Sequence, residues 1–300
     1  MHLVKKIIQN EIFKKKPIIL MHIGSSGSNF LNWINLAESS KLIMVDAENK
    51  NSSNLKYFKN VKIINSLISY KSGTSRFFST KDPECSSLLE PNSFEYNNWY
   101  GRHRFKVEKK DKVKVSSINF FLKKNKIEYI DWLVIDVQGI DLKIIKSLSK
   151  NLRNKISIVD IEPGLHGIYK GEDNISNVFD FMTKEFEFSD IKFGHNYKIK
   201  NEKLTTFEKK ILFRFNNPSK FYSNITFINK NKKNFRINQM KIIYLILNNK
   251  FFEARNYIKN QLSGDMFYKE IIDKINNKIL FQKIIYLFLL PIYILKKILK

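Results

Sequence analysis

The chain is short of several things, and each shortage excludes something. One cysteine in 300 residues, Cys85, rules out an intrachain disulfide and a thiolate metal site, so a reducing compartment, the cytoplasm, is expected. Five histidines include no pair at ligand spacing, so no metal is expected. Residues 1–16 hold lysines but no apolar run and no small-residue cleavage site, which argues against a secretory signal. The apolar run Ile284–Leu295 is 12 residues, short of the roughly 20 a membrane-spanning helix needs. Acidic residues are scarce as well: 28 Asp+Glu stand against 53 Lys+Arg, a net charge of +25. That excludes an acidic scaffold and raises nucleic acid or an anionic membrane as partners. The richness in Lys, Asn and Ile is also what AT-rich codons would give. Of the excess, +14 lies in residues 201–300, which hold 20 basic and 6 acidic residues.

What is present is a core-forming composition, 43% hydrophobic and 27% charged, enough for one large domain or two small ones. Short, mostly apolar runs recur at 18–23 (IILMHI), 41–45, 61–64, 132–135 and 156–161. Between them lie stretches with helical spacing at 29–36, 118–122, 140–148 and 178–186. Strands alternating with helices predict an α/β fold with a parallel sheet. Two further strands are predicted at 186–193 and 222–228 with a polar, aromatic-bearing loop between them, and only helices after residue 229. No internal repeat is visible. Six of the 10 glycines (Gly24, Gly27, Gly139, Gly164, Gly167, Gly171) follow predicted strand ends, where open α/β sheets bind ligands. Any one of them is equally well an ordinary turn.

The first turn reads His22-Ile-Gly-Ser-Ser-Gly-Ser28, and the next strand ends at Asp46, placed to accept ribose hydroxyls. Three more stretches accompany it: 82–92 (DPECSSLLEPN), 131–148 (DWLVIDVQGIDLKIIKSL), and 160–186, containing IEPGLHGIYKGED and VFDFMTKEFEF. Together these resemble the FkbM-like family of S-adenosylmethionine-dependent methyltransferases over about residues 18–228. The resemblance implies the class I methyltransferase (Rossmann-like) fold, with helices on both faces of a mostly parallel seven-stranded sheet whose last strand is antiparallel. It also implies S-adenosylmethionine as cofactor and a hydroxyl oxygen as acceptor. Carried over, His22, Gly24, Ser25 and Gly27 border the cofactor, Asp46 holds its ribose, and Asp136 faces cofactor or acceptor. Gln138 stands where the family often has Glu or Gln, and Tyr169-Lys170-Gly171 matches a loop beside the acceptor. The sequence departs from the pattern at His22, where Asp is usual, and at Ser28, Val134 and Asp141.

Asp136, Glu162 and His166 fall at or just beyond strand tips on the cofactor edge, which makes them the catalytic candidates. Each has a plainer reading: Asp136 as the N-cap of helix 140–148, Glu162 as a carboxylate paired with lysines, His166 as a loop histidine. The expected organisation is a methyltransferase domain over 15–230 and a basic helical extension over 231–300. Lys278 and Lys283 precede the apolar run, Lys296, Lys297 and Lys300 follow it, and Pro291 is expected to kink or split it. The run suits a membrane surface, packing on preceding helices, or self-association into a homo-oligomer. The favoured acceptor is a glycan, including a lipid-linked one at the inner face of the membrane. RNA methylation on the basic surface and a catalytically degenerate binding module are the alternatives.

Overall fold

Strands buried on both faces favour near-continuous apolar runs, and the centre of the sheet is built from such runs. In the computed structural model, which describes residues 2–25, 30–47, 53–199, 204–262 and 266–298, β1 (Ile18–Ile23) is buried at all six positions. Next come β2 (Ser40–Asp46) and β3 (Val61–Asn65), the latter half-exposed at the sheet edge. Three short or charged strands follow: β4 (Ile68–Ser69), β5 (Gly73–Thr80) and β6 (Val107–Ser117). Two more buried strands, β7 (Ile130–Ile135) and β8 (Ile156–Ile161), precede the long pair β9 (Phe186–Asn196) and β10 (Ser219–Asn229).

The seven-stranded sheet has the order β3-β2-β1-β7-β8-β10-β9. The first five strands are parallel; β10 runs antiparallel to both of its neighbours. This is the class I methyltransferase arrangement. Its order changes direction beside β1, so the carboxyl ends of β1, β2 and β7 face one crevice. Buried acids knit the strands together: Asp131 accepts from the Ile19 amide at 2.8 Å, and Asp160 accepts from Trp132 Nε1 at 2.7 Å and Thr226 Oγ1 at 2.6 Å.

Several details depart from the sequence reading. The segment after β1 is a 3-10 helix, Leu31–Ser39, not an α-helix. The helix expected to reach residue 186 stops at Met182, because Phe186 opens β9. Between β9 and β10 the expected loop contains an α-helix, Thr206–Phe215, closed at its start by a Thr205–Glu208 capping box. A second sheet, β4-β6-β5, had no counterpart in the reading. Its long strand, VEKKDKVKVSS, alternates charge with Val113 and Val115, and only Val115 is fully buried. A mostly solvated strand carries almost no hydrophobic signal.

Contacts divide the chain into two units, residues 17–231 and residues 1–16 with 232–300. In the second unit, helices His2–Ile8, Glu11–Lys15, Phe235–Leu247, Phe251–Gln261 and Met266–Ile298 bury Val4, Ile7, Met240, Ile243, Ala254, Ile258 and Ile271. Arg236 lies over the Phe13 ring at 4.9 Å and donates to the Lys16 carbonyl at 3.1 Å, which ties the amino-terminal helices to this bundle. The last helix runs through Pro291 without dividing. A proline interior to a helix removes one hydrogen bond and crowds the preceding turn, a loss the 33-residue helix absorbs. Among the described residues, no helix is long and apolar enough to cross a membrane.

Candidate active site

The crevice beyond the strand ends is a cavity of about 420 Å³. Its walls come from the tips of β1 (Ile23, Gly24), β2 (Asp46), β7 (Asp136–Gln138) and β8 (Glu162). The inserted sheet and the segment after it contribute Thr80, Glu84 and Ser87; β10 contributes Phe221 and Tyr222. Among the described residues four carboxyl groups line it, those of Asp46, Glu84, Asp136 and Glu162, with Arg104 as the cation. Arg104 is itself engaged, donating from Nε to Asp82 at 2.6 Å and lying 3.7 Å from Glu84. Among the described residues no lysine is in the wall, in a chain of net charge +25.

At the β1 tip, the Gly24 amide donates to the Val45 carbonyl at 2.9 Å, and the Asp136 amide donates to the Ile23 carbonyl at 3.0 Å. These last ladder bonds draw β1 and β7 so close that a Cβ on Gly24 would lie 1.7 Å from the Asp136 carbonyl oxygen; Gly24 also has φ +80°. Its glycine is therefore demanded by the meeting of two strand tips before any ligand enters.

Asp136 is held by a chain of side chains. Gln138 Nε2 donates to Asp136 Oδ1 at 2.8 Å, and the one proton of the Tyr169 hydroxyl is shared between Gln138 Oε1 at 3.0 Å and the Cys85 carbonyl at 2.8 Å. Ser87 Oγ anchors the Gln138 carbonyl at 2.7 Å, and Gln138 has the strained φ of +58°. Strain of this kind persists where the surroundings over-determine it, often at functional sites. Burial, with Asp46 and Glu84 nearby, raises Asp136 to about 6. The N-cap alternative for Asp136 does not hold, since Ile140 occupies that position in helix Asp141–Ser147. The acid that ties this turn is buried Asp141, which accepts from the Val137 amide at 3.2 Å and the Glu162 amide at 3.0 Å.

Glu162 accepts from Asn224 Nδ2 at 3.2 Å, so its partner is an amide rather than a lysine. Burial and the charges of Asp136 and Asp141 push it up to about 10, leaving it a neutral acid at pH 7 that can donate a hydrogen bond. A folded-state value raised from the ordinary 4.5 disfavours the fold above 4.5, and the loss grows as pH rises. Glu162→Gln, which keeps shape and acceptor, is expected to gain about 1–3 kcal/mol at about pH 8 and almost nothing at about pH 4. Urea midpoints at the two pH values measure this.

The other candidates separate. Gly24, Asp46, Asp136 and Glu162 come together in the cavity wall. His22 and His166, expected at the cofactor and among the catalytic residues, do not line it. His22 is buried beneath β1 against Phe30 and Trp33, with ring centroids 5.8 and 6.4 Å away, and burial lowers it to about 4. It is a neutral core residue that cannot replace a carboxylate. His166 Nε2 donates to the Lys220 carbonyl at 2.7 Å, and its ring packs on Trp99 at 4.6 Å. Ser25 is buried outside the wall, and Gly27 lies outside the described residues. Cys85 is buried, its thiol pushed up to about 12. Tyr169 adjoins it, donating to its carbonyl at 2.8 Å. Among the described residues no cluster of His, Cys, Asp or Glu is arranged to hold a metal.

Glu84 was not singled out from the sequence, and Tyr222 only as the start of a strand and an aromatic available to stack on nucleic acid. Glu84 lies inside the quoted 82–92 stretch, which gave a signal for the segment but not for the residue.

A family model, the methyltransferase FkbM domain, matches residues 21–198. No curated protein and no solved structure matches the chain.

Proposed function

The chain belongs to the FkbM methyltransferase family, and from that premise we propose that it transfers a methyl group from S-adenosylmethionine to a hydroxyl of a neutral, glycan-type acceptor. The observation that carries the proposal is the cavity's charge: among the described residues the carboxylates of Asp46, Glu84 and Asp136, a neutral Glu162 and an already engaged arginine, inside a strongly basic protein. The residues fit the cofactor, whose ammonium and sulfonium groups are cationic. Asp46 at the β2 tip would accept the ribose hydroxyls, and Ile68 and Val137 supply apolar wall. When bound, the cofactor supplies an electrophilic methyl for in-line displacement.

The chain's own residues then have two tasks, positioning and removing a proton. Asp136, raised to about 6 and oriented by Gln138, is ionised at pH 7 and accepts the hydroxyl proton as the oxygen attacks. Glu162, protonated, donates a hydrogen bond to a neighbouring acceptor oxygen. Phe105, Phe221 and Tyr222, beside Ser79, Thr80 and Ser87, give aromatic faces and hydroxyls of the kind a sugar ring meets. The same carboxylates disfavour phosphate-bearing acceptors, which weighs against RNA.

Calorimetry tests the reading. The folded protein is expected to bind S-adenosylmethionine or its demethylated product, and Asp46→Ala to weaken binding about 10–100-fold through loss of a charge-assisted hydrogen bond. Absence of heat with either ligand would leave a non-catalytic binding module as the better account.

A further inference from the structure

We propose that the protein docks on an anionic lipid bilayer through two separate apolar helical surfaces, one in each unit. The first is the last helix, Met266–Ile298. Through Ile279 it buries one residue per turn (Ile271, Ile275, Ile279). Beyond that, Leu280, Phe281, Ile284, Ile285, Tyr286, Phe288 and Leu289 are all exposed, from 40% to 77%. At 100° per residue they occupy an arc of roughly 240°. A helix seated in a protein groove needs an apolar stripe of about 100°, so this arc exceeds what one groove covers. An apolar solvent covers it completely. Lys278 and Lys283 on one side of the run and Lys296, Lys297 and Lys300 on the other supply the charge that selects anionic headgroups over neutral ones.

The second surface lies on the catalytic unit. Helix Thr206–Phe215 has no buried residue, and its Phe207, Ile211 and Phe215, spaced i, i+4, i+8, form one exposed stripe. Lys210 and Arg214, also i, i+4, flank it. Another face of the helix turns toward the site: Phe213 packs on Tyr100 at 5.5 Å and Tyr197 at 5.2 Å, and the adjoining Trp99 packs at 4.8 Å on Phe221 of the cavity wall. A bilayer bound here sits beside the wall that receives the acceptor. An apolar insertion and basic charge together give stable attachment where either alone gives weak attachment.

Co-sedimentation of the full chain with phosphatidylcholine vesicles, with and without phosphatidylglycerol, tests this without reference to methyl transfer. Binding is expected to the anionic vesicles and to weaken as salt screens the lysines. Ile284→Glu with Phe288→Glu, both at exposed positions, is expected to weaken binding about a hundredfold. Phe207→Ser with Ile211→Ser and Phe215→Ser is expected to weaken it about tenfold, with an unchanged circular-dichroism spectrum and urea midpoint as the control for folding. No sedimentation of wild type above its lipid-free level overturns the proposal, as does wild-type binding by both variants. A lipid-free oligomer dissolved by Ile284→Glu with Phe288→Glu also overturns it, assigning the surface to a second copy of the chain.

Discussion

Gly24→Ala is expected to cost about 3–5 kcal/mol of stability, combining left-handed backbone strain with overpacking. The added Cβ would stand 1.7 Å from the Asp136 carbonyl oxygen at a φ of +80°. Backbone is the obstacle, and no side-chain rotation relieves it. The β1 and β7 tips must part, breaking the bond from the Asp136 amide to the Ile23 carbonyl. Such a loss is a large share of the 5–15 kcal/mol typical of a whole domain. Urea denaturation of the variant measures it. A midpoint within about 1 kcal/mol of wild type would show that the two tips are not locked together.

The second large effect is expected in catalysis. Asp136→Asn should lower kcat/KM about 10²–10⁴-fold while leaving the fold intact, since asparagine keeps the shape and still accepts from Gln138. In the wild type, the base must be ionised. Because burial raises Asp136 to about 6, kcat/KM should fall about tenfold for each pH unit below that value. The stability contribution of the same group runs the other way. Its folded-state value lies above the ordinary 3.8, so the fold binds the proton more readily, and stability at this site rises as pH falls from about 6 toward 3.8. Loss of activity in that window therefore cannot come from acid unfolding at Asp136. Asp136→Asn retaining wild-type activity, or a profile flat through pH 6, would remove Asp136 as the base.

Much of the frame was readable from short stretches. Apolar runs such as IILMHI and ISIVDI form strands because burial on both faces favours apolar side chains, the one acid, Asp160, being held by Trp132 and Thr226, and they fall where the runs predict. The pair Asp46 and Asp136 was readable because strand tips are where a parallel sheet admits ligands. His22 was misleading for a related reason. Alternation along a strand sends successive side chains to opposite faces, and His22 follows the face covered by Phe30 and Trp33 rather than the cavity. His166 was misleading differently, since the loop that brings it near the tip turns its ring onto Trp99.

By itself, the sequence determined the alternating α/β frame, the family, and the basic, apolar character of the carboxyl-terminal region. These are local properties, written in periodicity and motif order over tens of residues. Tertiary structure decided which of the scarce acids act together. Asp46, Glu84, Asp136 and Glu162 are far apart in the chain and meet only because the sheet order brings β2, β7 and β8 to one edge and the inserted sheet delivers residue 84. Burial, with Asp46 and Glu84 near Asp136 and with Asp136 and Asp141 near Glu162, raises the first to about 6 and the second to about 10, properties neither residue has alone. The net charge of +25 gave no sign of a cavity of opposite sign, because a sum over the chain carries no positions and electrostatic energy depends on distance.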